Sequence, residues 1–177
     1  MITYKKSTWK ELPAWVFLEM AKARKRHFID RFEWDIPTYV GGQYEIDQFD
    51  AESAIYVWFI DFRNPHRILG SFRVLPHSAS MTREIWPQFY PLIHPDSYEV
   101  SRACVHVNSM YRMQREDIQK SMQRWMHDFS ERKYGANIYG CADRRTLALW
   151  RAFYNTTAKS ILLDPDGDPD RNIAIWH

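Results

Sequence analysis

Residues 54–75, AIYVWFIDFRNPHRILGSFRVL, decide the architecture. The first nine, 54–62, are almost continuously apolar and rich in β-branched and aromatic side chains. That pattern suits a strand covered on both faces. Asn64-Pro65 predicts a turn. Residues 67–75 then return as a second strand, interrupted by one charge, Arg73.

Working outward, residues 98–107 (YEVSRACVHV) read as a third strand, and 81–93 as a short helix broken by Pro87 and Pro91. The strongest helix is 113–133, where Ile118, Met122, Trp125, Met126 and Phe129 share one face and Gly135 is placed to cap the end. A strand at 136–142, a helix at 144–154 carrying Leu147, Leu149, Trp150 and Phe153, and short strands at 159–163 and 172–176 complete the chain. Upstream, 9–32 reads as one long helix with Ala14, Phe17, Leu18, Ala21 and Phe28 facing the core. Its start signal is a Thr8–Glu11 capping box or Pro13 in the first turn. Residues 35–53 carry Pro37, Gly41-Gly42 and several acids without periodicity, and read as a loop. Strands and helices alternating after an antiparallel beginning imply an α/β fold, a three-layer α-β-α sandwich around a mixed sheet.

The 177 residues suit a single domain over 1–177. A hydrophobic fraction of 45% and an aromatic fraction of 16% provide a core and the means to wall an apolar cleft. A net charge of +2 makes no case for nucleic acid as a partner. Two cysteines, Cys104 and Cys141, can build neither a disulfide framework nor a cysteine-based zinc site. No apolar run approaches the roughly 20 residues of a membrane span, and the N-terminus has no signal-peptide core, so a cytoplasmic protein is expected.

Motifs for common chemistries are missing. The seven histidines show no metal-ligand spacing, so no metal is expected. The Asp164-Asp166-Asp168-Asp170 run has Ile175, where a calcium loop needs Glu, and reads as a solvated turn. No glycine-rich phosphate loop and no G-x-S-x-G elbow occurs. The glycine-rich loop that usually cradles an acyl-coenzyme A phosphate is absent before the 113–133 helix.

The informative residues are charges placed among apolar neighbours. Glu45, Asp47 and Asp50 sit in an aromatic loop, Arg73 in one strand, Glu99 and Arg102 in another, and Arg24 one helical turn before Phe28. Buried charges must be paired or change protonation. A structural ion-pair network and a catalytic site both satisfy that demand.

Taken in order, Arg24 and Phe28, Trp34, Glu45-Asp47-Phe49-Asp50, Arg73 within GSFRVLP, and Glu99-Val100-Ser101-Arg102 resemble the acyl-homoserine lactone synthases, the LuxI-type autoinducer synthases of quorum sensing. The resemblance spans about residues 20–107. It implies a GNAT-like fold and an acyltransferase reaction. The acceptor would be the amine of S-adenosylmethionine, a substrate rather than a cofactor. The donor would be an acyl thioester on acyl carrier protein or coenzyme A. The products would be an N-acyl-homoserine lactone and 5′-methylthioadenosine. No cofactor is implied, nor is a membrane partner, and a monomer is expected. A GNAT-like N-acyltransferase for another amine, such as an amino acid, and a silent relative that only binds ligand stand as alternatives.

The resemblance assigns catalytic roles to Glu99, Arg102, Asp47 and Arg73. Glu99 would take the amine proton directly or through water, and backbone N–H groups at a strand distortion would hold the oxyanion. Arg73 and Arg102 would orient the acids. Arg24, Phe28, Trp34, Asp47 and Asp50 would bind S-adenosylmethionine. Glu99 and Arg102, three apart, point to opposite faces of a regular strand, so a shared site requires a β-bulge between them. Met122, Trp125, Met126, Tyr139, Gly140 and Trp150 are candidates to line the acyl pocket, with plain core as the competing reading. The resemblance aligns Gly140 with a position that is often Thr in makers of 3-oxo products, and since glycine has no side-chain donor it implies an unsubstituted acyl chain. Lys120, Arg124, Arg132, Lys133, Arg144, Arg145 and Arg151 offer a basic surface for an acidic carrier protein, with a solvated helix face as the competing reading. Ala103 stands where the family commonly has Phe, and His27 where it has an apolar residue.

Overall fold

A computed structural model describes residues 1–36, 39, 41–106, 112–132, 138–143, 159–162 and 171–176. The chain divides into two compact units, Met1–Val74 with Arg102–Gln123 and Leu75–Ser101 with Arg124–His177.

The first unit is built on strands β1 (Ile2–Thr8), β2 (Ile55–Asp61) and β3 (Asn64–Pro76), the last belonging to it through Val74. β1 runs antiparallel to β2 from Ile2↔Asp61 to Thr8↔Ile55, and β2 runs antiparallel to β3 from Ile55↔Val74 to Asp61↔Asn64. β1 was not expected. Its Lys5 and Lys6 are solvent-exposed and it has no apolar alternation, which is how an edge strand looks in sequence. Residues 56–60 of β2 are buried without a break, as a doubly covered strand requires. The β2–β3 turn falls on Phe62 and Arg63, where the Asp61 side chain accepts the Arg63 N–H at 3.0 Å. Asn64-Pro65, the expected turn, instead opens β3.

Helix α1 (Ala14–Arg24) starts after Pro13 rather than at residue 9, and continues as a π-helical segment Lys25–Arg31. Residues 9–11 form a separate 3₁₀ turn. The buried face is Val16, Met20, Ala21, Ala23, Arg24 and Phe28; Ala21 and Phe28 lie on it as expected, whereas Ala14 is exposed and Leu18 is 38% exposed. The reason is Arg24. A charge on the core-facing stripe displaced the apolar pattern by which the helix was phased. Helix α2 spans Met81–Ile85 and belongs to the second unit, whereas α3 (Arg112–Arg132) belongs to the first through Gln123. There α3 lies close on β3. A Cβ at Gly70 would come within 2.8 Å of Ile118 Cγ2 and 3.2 Å of Met122 Sδ.

The second unit contains β4 (Tyr98–Val105) through Ser101, with β5 (Ile138–Asp143), β6 (Lys159–Leu162) and β7 (Arg171–Trp176) in the order β4-β5-β7-β6. β4 and β5 are parallel, β5 and β7 antiparallel, β7 and β6 antiparallel, so the sheet is mixed. Ser80 caps α2 by accepting the Arg83 N–H at 3.2 Å, and α2 ends before Pro87, as expected. A 3₁₀ turn at Tyr90–Leu92 follows around Pro91. The expected helix 144–154, Gly135 and the run Asp164–Asp170 lie outside the described residues. No helix among the described residues is long and apolar enough to cross a membrane.

Candidate active site

Three guanidinium groups and three carboxylates converge in the first unit. Glu45 is tied to α1 by its N–H to the Ala21 carbonyl, 3.1 Å, and its side chain is fully buried. Arg24, 1% exposed, reaches Glu45 through Nε and grips Asp50 with both terminal nitrogens, 2.9 and 3.0 Å. Arg73, also 1% exposed, grips Asp47 with both terminal nitrogens and reaches Asp50 at 2.9 Å. Arg102 spans Glu45 and Asp47, both at 2.9 Å. The Tyr56 hydroxyl donates to Asp50 at 3.0 Å. Loop 45–50 is fixed internally as well, since Asp47 accepts the Phe49 N–H and Asp50 the Asp47 N–H. Charge is balanced within the cluster, and two of the pairs are forked, the geometry that best offsets desolvation.

The titration shifts follow from this. Burial works to raise the Asp50 carboxyl, but the Arg24 and Arg73 guanidinium groups outweigh it and hold it at about 2. Burial likewise opposes ionisation of Asp47, and Arg73 and Arg102 reverse it, leaving the carboxyl below its ordinary value. Burial disfavours the charged Arg24, yet Asp50 and Glu45 overcome it and raise its pKa. The Tyr56 phenol is pushed up by burial and by Asp50.

Beside the network lies an aromatic group. Glu33 adopts a left-handed backbone, φ 53°, and its N–H bonds to the Ile29 carbonyl at 3.1 Å. The chain thereby doubles back, and the Trp34 N–H bonds to the Phe28 carbonyl at 2.9 Å. The Trp34 and Phe28 rings come to 4.9 Å, and the Arg102 guanidinium stands 5.5 Å over Phe28. Phe28 is buried, while Trp34 is 42% exposed and able to meet a ligand.

A second polar group belongs to the second unit. Glu99 is 1% exposed on β4. Its Oε2 accepts the Met81 and Thr82 N–H groups at the start of α2, and its Oε1 accepts the Thr82 hydroxyl at 3.0 Å. Directly opposite on β5 is Tyr139, fully buried. Its hydroxyl meets Nδ1 of His77 at 2.8 Å, and Nε2 of His77 meets the Tyr90 carbonyl at 3.1 Å. His77 is stacked on the Tyr90 ring at 4.0 Å. Burial, with Arg83 adding to it, lowers the His77 pKa, so the ring is neutral at neutral pH. Burial and the Glu99 charge raise the Tyr139 phenol. Among the described residues the β4–β5 ladder has two pairs, Tyr98↔Ile138 and Glu99↔Tyr139. Arg102 takes a left-handed backbone conformation, φ 54°.

The model of the family described as autoinducer synthase matches residues 12–153. This chain belongs to that family. Similar solved structures agree. The acyl-homoserine lactone synthase LasI superposes with a TM-score of 0.73 at 17% identity, covering 99% of this chain and 89% of that one. A coenzyme A-dependent acyl-homoserine lactone synthase, BjaI, with S-adenosylmethionine and isopentyl-coenzyme A, gives 0.75 at 16% identity, covering 100% and 84%. An acyl-coenzyme A N-acyltransferase from Pseudomonas aeruginosa gives 0.61 at 15% identity, covering 100% of each chain. The fold is GNAT-like, and the protein is an acyltransferase of acyl-homoserine lactone synthesis.

In this autoinducer synthase the sequence-predicted residues fall into two groups. Arg24, Asp47, Asp50, Arg73 and Arg102 form one network, with Phe28 and Trp34 at its side. Glu99 stands with α2 and Tyr139. Asp47 and Asp50, expected to bind S-adenosylmethionine, are engaged by the chain's own arginines. Met122, Trp125 and Met126 are each 5% exposed, and Gly140 on β5 is buried. Trp125 stacks on Phe129 at 4.9 Å. Trp150, Arg144, Arg145 and Arg151 lie outside the described residues. Sequence reading missed Tyr56, Ser80, Thr82 and His77. Only Ser80 carried any signal, as an N-cap residue opening a short helix before a proline.

Proposed function

We infer that this synthase joins an acyl thioester to the amine of S-adenosylmethionine and then closes the lactone with loss of 5′-methylthioadenosine. The single observation that carries the assignment of the base is Glu99. It is a buried carboxylate with three hydrogen-bond donors from Met81 and Thr82, at the last pair of the β4–β5 ladder. A carboxylate so fixed accepts a proton in one defined direction, which is what general-base catalysis needs. The N–H bond of the amine breaks as the N–C bond to the acyl carbon forms. The proton passes to Glu99, and the thiolate leaves. Backbone N–H groups where the ladder ends are the donors for the oxyanion. The substrate carboxylate then displaces the sulfonium, a step that needs positioning because the leaving group is already cationic.

Phe28 and Trp34 form the apolar wall of the S-adenosylmethionine site, with Trp34 suited to a sulfonium or an adenine. Asp47 and Asp50 act through the arginines they orient, and Arg24, Arg73 and Arg102 fix the loop and present the net field of the cluster. Trp125, Met126, Tyr139 and Gly140, all of the second unit, are the candidates to surround the acyl chain. The donor is carried by acyl carrier protein, docking on Arg144, Arg145 and Arg151, or by coenzyme A, as the BjaI complex supports. The likeness to an acyl-coenzyme A N-acyltransferase keeps one other acceptor class in view, an amine that is not S-adenosylmethionine.

Purified protein with S-adenosylmethionine and a panel of acyl thioesters tests both readings. Release of 5′-methylthioadenosine with an acyl-homoserine lactone is expected. Amide formation on another amine without methylthioadenosine would select the alternative. Glu99→Gln is expected to reduce turnover by at least a hundredfold, the usual share of a general base, while circular dichroism is unchanged.

A further inference from the structure

We propose that Phe32 is a further substrate-binding residue of the S-adenosylmethionine site: with Trp34 it forms an aromatic surface that holds the adenine ring rather than the sulfonium, and His27 positions it. The inference rests on the placement of that site at Phe28 and Trp34. It goes beyond that reading by adding a residue and fixing which end of the substrate it meets.

Phe28 lies within the π-helical segment Lys25–Arg31, and Phe32 closes it. The His27 ring stands edge-on to both, 4.9 Å from Phe28 at 87° and 4.8 Å from Phe32 at 84°. It fills the space between the two phenyl rings and fixes their separation. Trp34 completes the group. It lies 4.9 Å from Phe28 and 6.4 Å from Phe32, tilted by 34° to each. Each of the four rings therefore touches two of the others, and the surface is set before a ligand arrives.

Stability alone does not account for this surface. Trp34 is 42% exposed and Phe32 38%, so two large apolar side chains meet water side by side. Glu33, which joins them, holds a left-handed backbone, φ 53°, that a residue with a Cβ rarely adopts. Strain and exposed aromatic area on three consecutive residues point to a ligand. Charge then selects the part of the ligand. The Phe28 ring already carries the Arg102 guanidinium at 5.5 Å, and the Phe32 ring the Arg31 guanidinium at 5.3 Å. A sulfonium drawn to either ring would meet a second cation there. Adenine is uncharged at neutral pH and presents a flat π face, and a base stacks on aromatic side chains without needing a charge.

The test is calorimetric binding of S-adenosylmethionine and of 5′-methylthioadenosine to the whole protein, alongside steady-state kinetics. Methylthioadenosine keeps the adenine and lacks the sulfonium and the amino acid, so losing a contact with adenine weakens both ligands alike. In Phe32→Ala both dissociation constants are expected to rise about tenfold, near the low end for one lost base stack, as suits a partly exposed ring. The kcat at saturating S-adenosylmethionine should stay within about twofold of the parent. Phe32→Tyr keeps the ring and should bind both ligands as the parent does. His27→Ala should weaken both ligands in the same ratio. His27→Phe restores an edge-on ring and should recover them, a rescue that a role for the imidazole nitrogens would not give. Unchanged binding of both ligands in Phe32→Ala, or a loss for S-adenosylmethionine alone, overturns the inference. Trp34→Ala binding both ligands as tightly as the parent overturns instead the placement of the substrate site, and a parent protein that binds neither overturns the reading of the acceptor itself.

Discussion

Arg24 shows how one residue can be illegible as structure and legible as function. It occupies the buried stripe of α1, where the helix pattern asks for Leu, and there it binds Glu45 and Asp50. Its spacing to Phe28, Trp34 and the acidic loop nevertheless gave the site its first outline. The partners that complete that outline, Tyr56 for Asp50 and Thr82 for Glu99, carry no local mark of that role, because hydrogen-bond partnership is set by tertiary placement. Removing one member of a closed buried network leaves its partners charged and unpaired. Arg24→Met is therefore expected to cost about 3–5 kcal/mol, a fall of roughly 10 °C in Tm. Arg24→Lys keeps the charge but not the fork on Asp50 and should fall between parent and Met. Thermal melts of the three proteins check the order, and an Arg24→Met variant as stable as the parent would contradict a closed network.

At the level of elements, every strand was readable except the polar edge strand β1, the far edge strand β6 included. β2, β3 and β4 announce themselves by apolar runs, and α3 by its Ile118–Met122–Trp125–Met126 face. β1 and the π-helical end of α1 do not, since a polar edge strand and a shift of helical hydrogen bonding leave no periodic signature. Gly70 marks where two readable elements meet. It needs no special backbone conformation. Its value is the missing Cβ, which lets Ile118 close on β3. Gly70→Ala is expected to destabilise by about 1–3 kcal/mol through overpacking. Ile118→Ala removes the opposing methyl, so the double variant should be less destabilised than the sum of the singles. Urea denaturation of the four proteins measures this, and strict additivity would show that α3 does not press on β3 at this point.

For the whole molecule, four groups spread over both units tie stability to pH in one direction. The His106 ring, hydrogen-bonded to Ser71 at 2.7 Å, is pushed by burial and by Arg26 and His27 from 6.5 to about 3, and His77 is lowered too. A base with a depressed folded pKa binds fewer protons folded than unfolded. Stability is therefore fully present above the unfolded value and declines as pH falls below 6.5. Asp50, held at about 2 against an ordinary 3.8, and Asp47, lowered as well, stabilise the fold above the ordinary carboxylate range. That contribution is lost as pH falls from there toward 2. The two sets act in succession, so the urea midpoint should decline first through the histidine range and then more steeply through the carboxylate range. His106→Asn, which can still bond Ser71, should flatten the first part and leave the second. Arg24→Met should diminish the second and leave the first. A midpoint constant from neutral pH down to the carboxylate range in the parent protein would mean that His77 and His106 do not enter the fold as neutral rings.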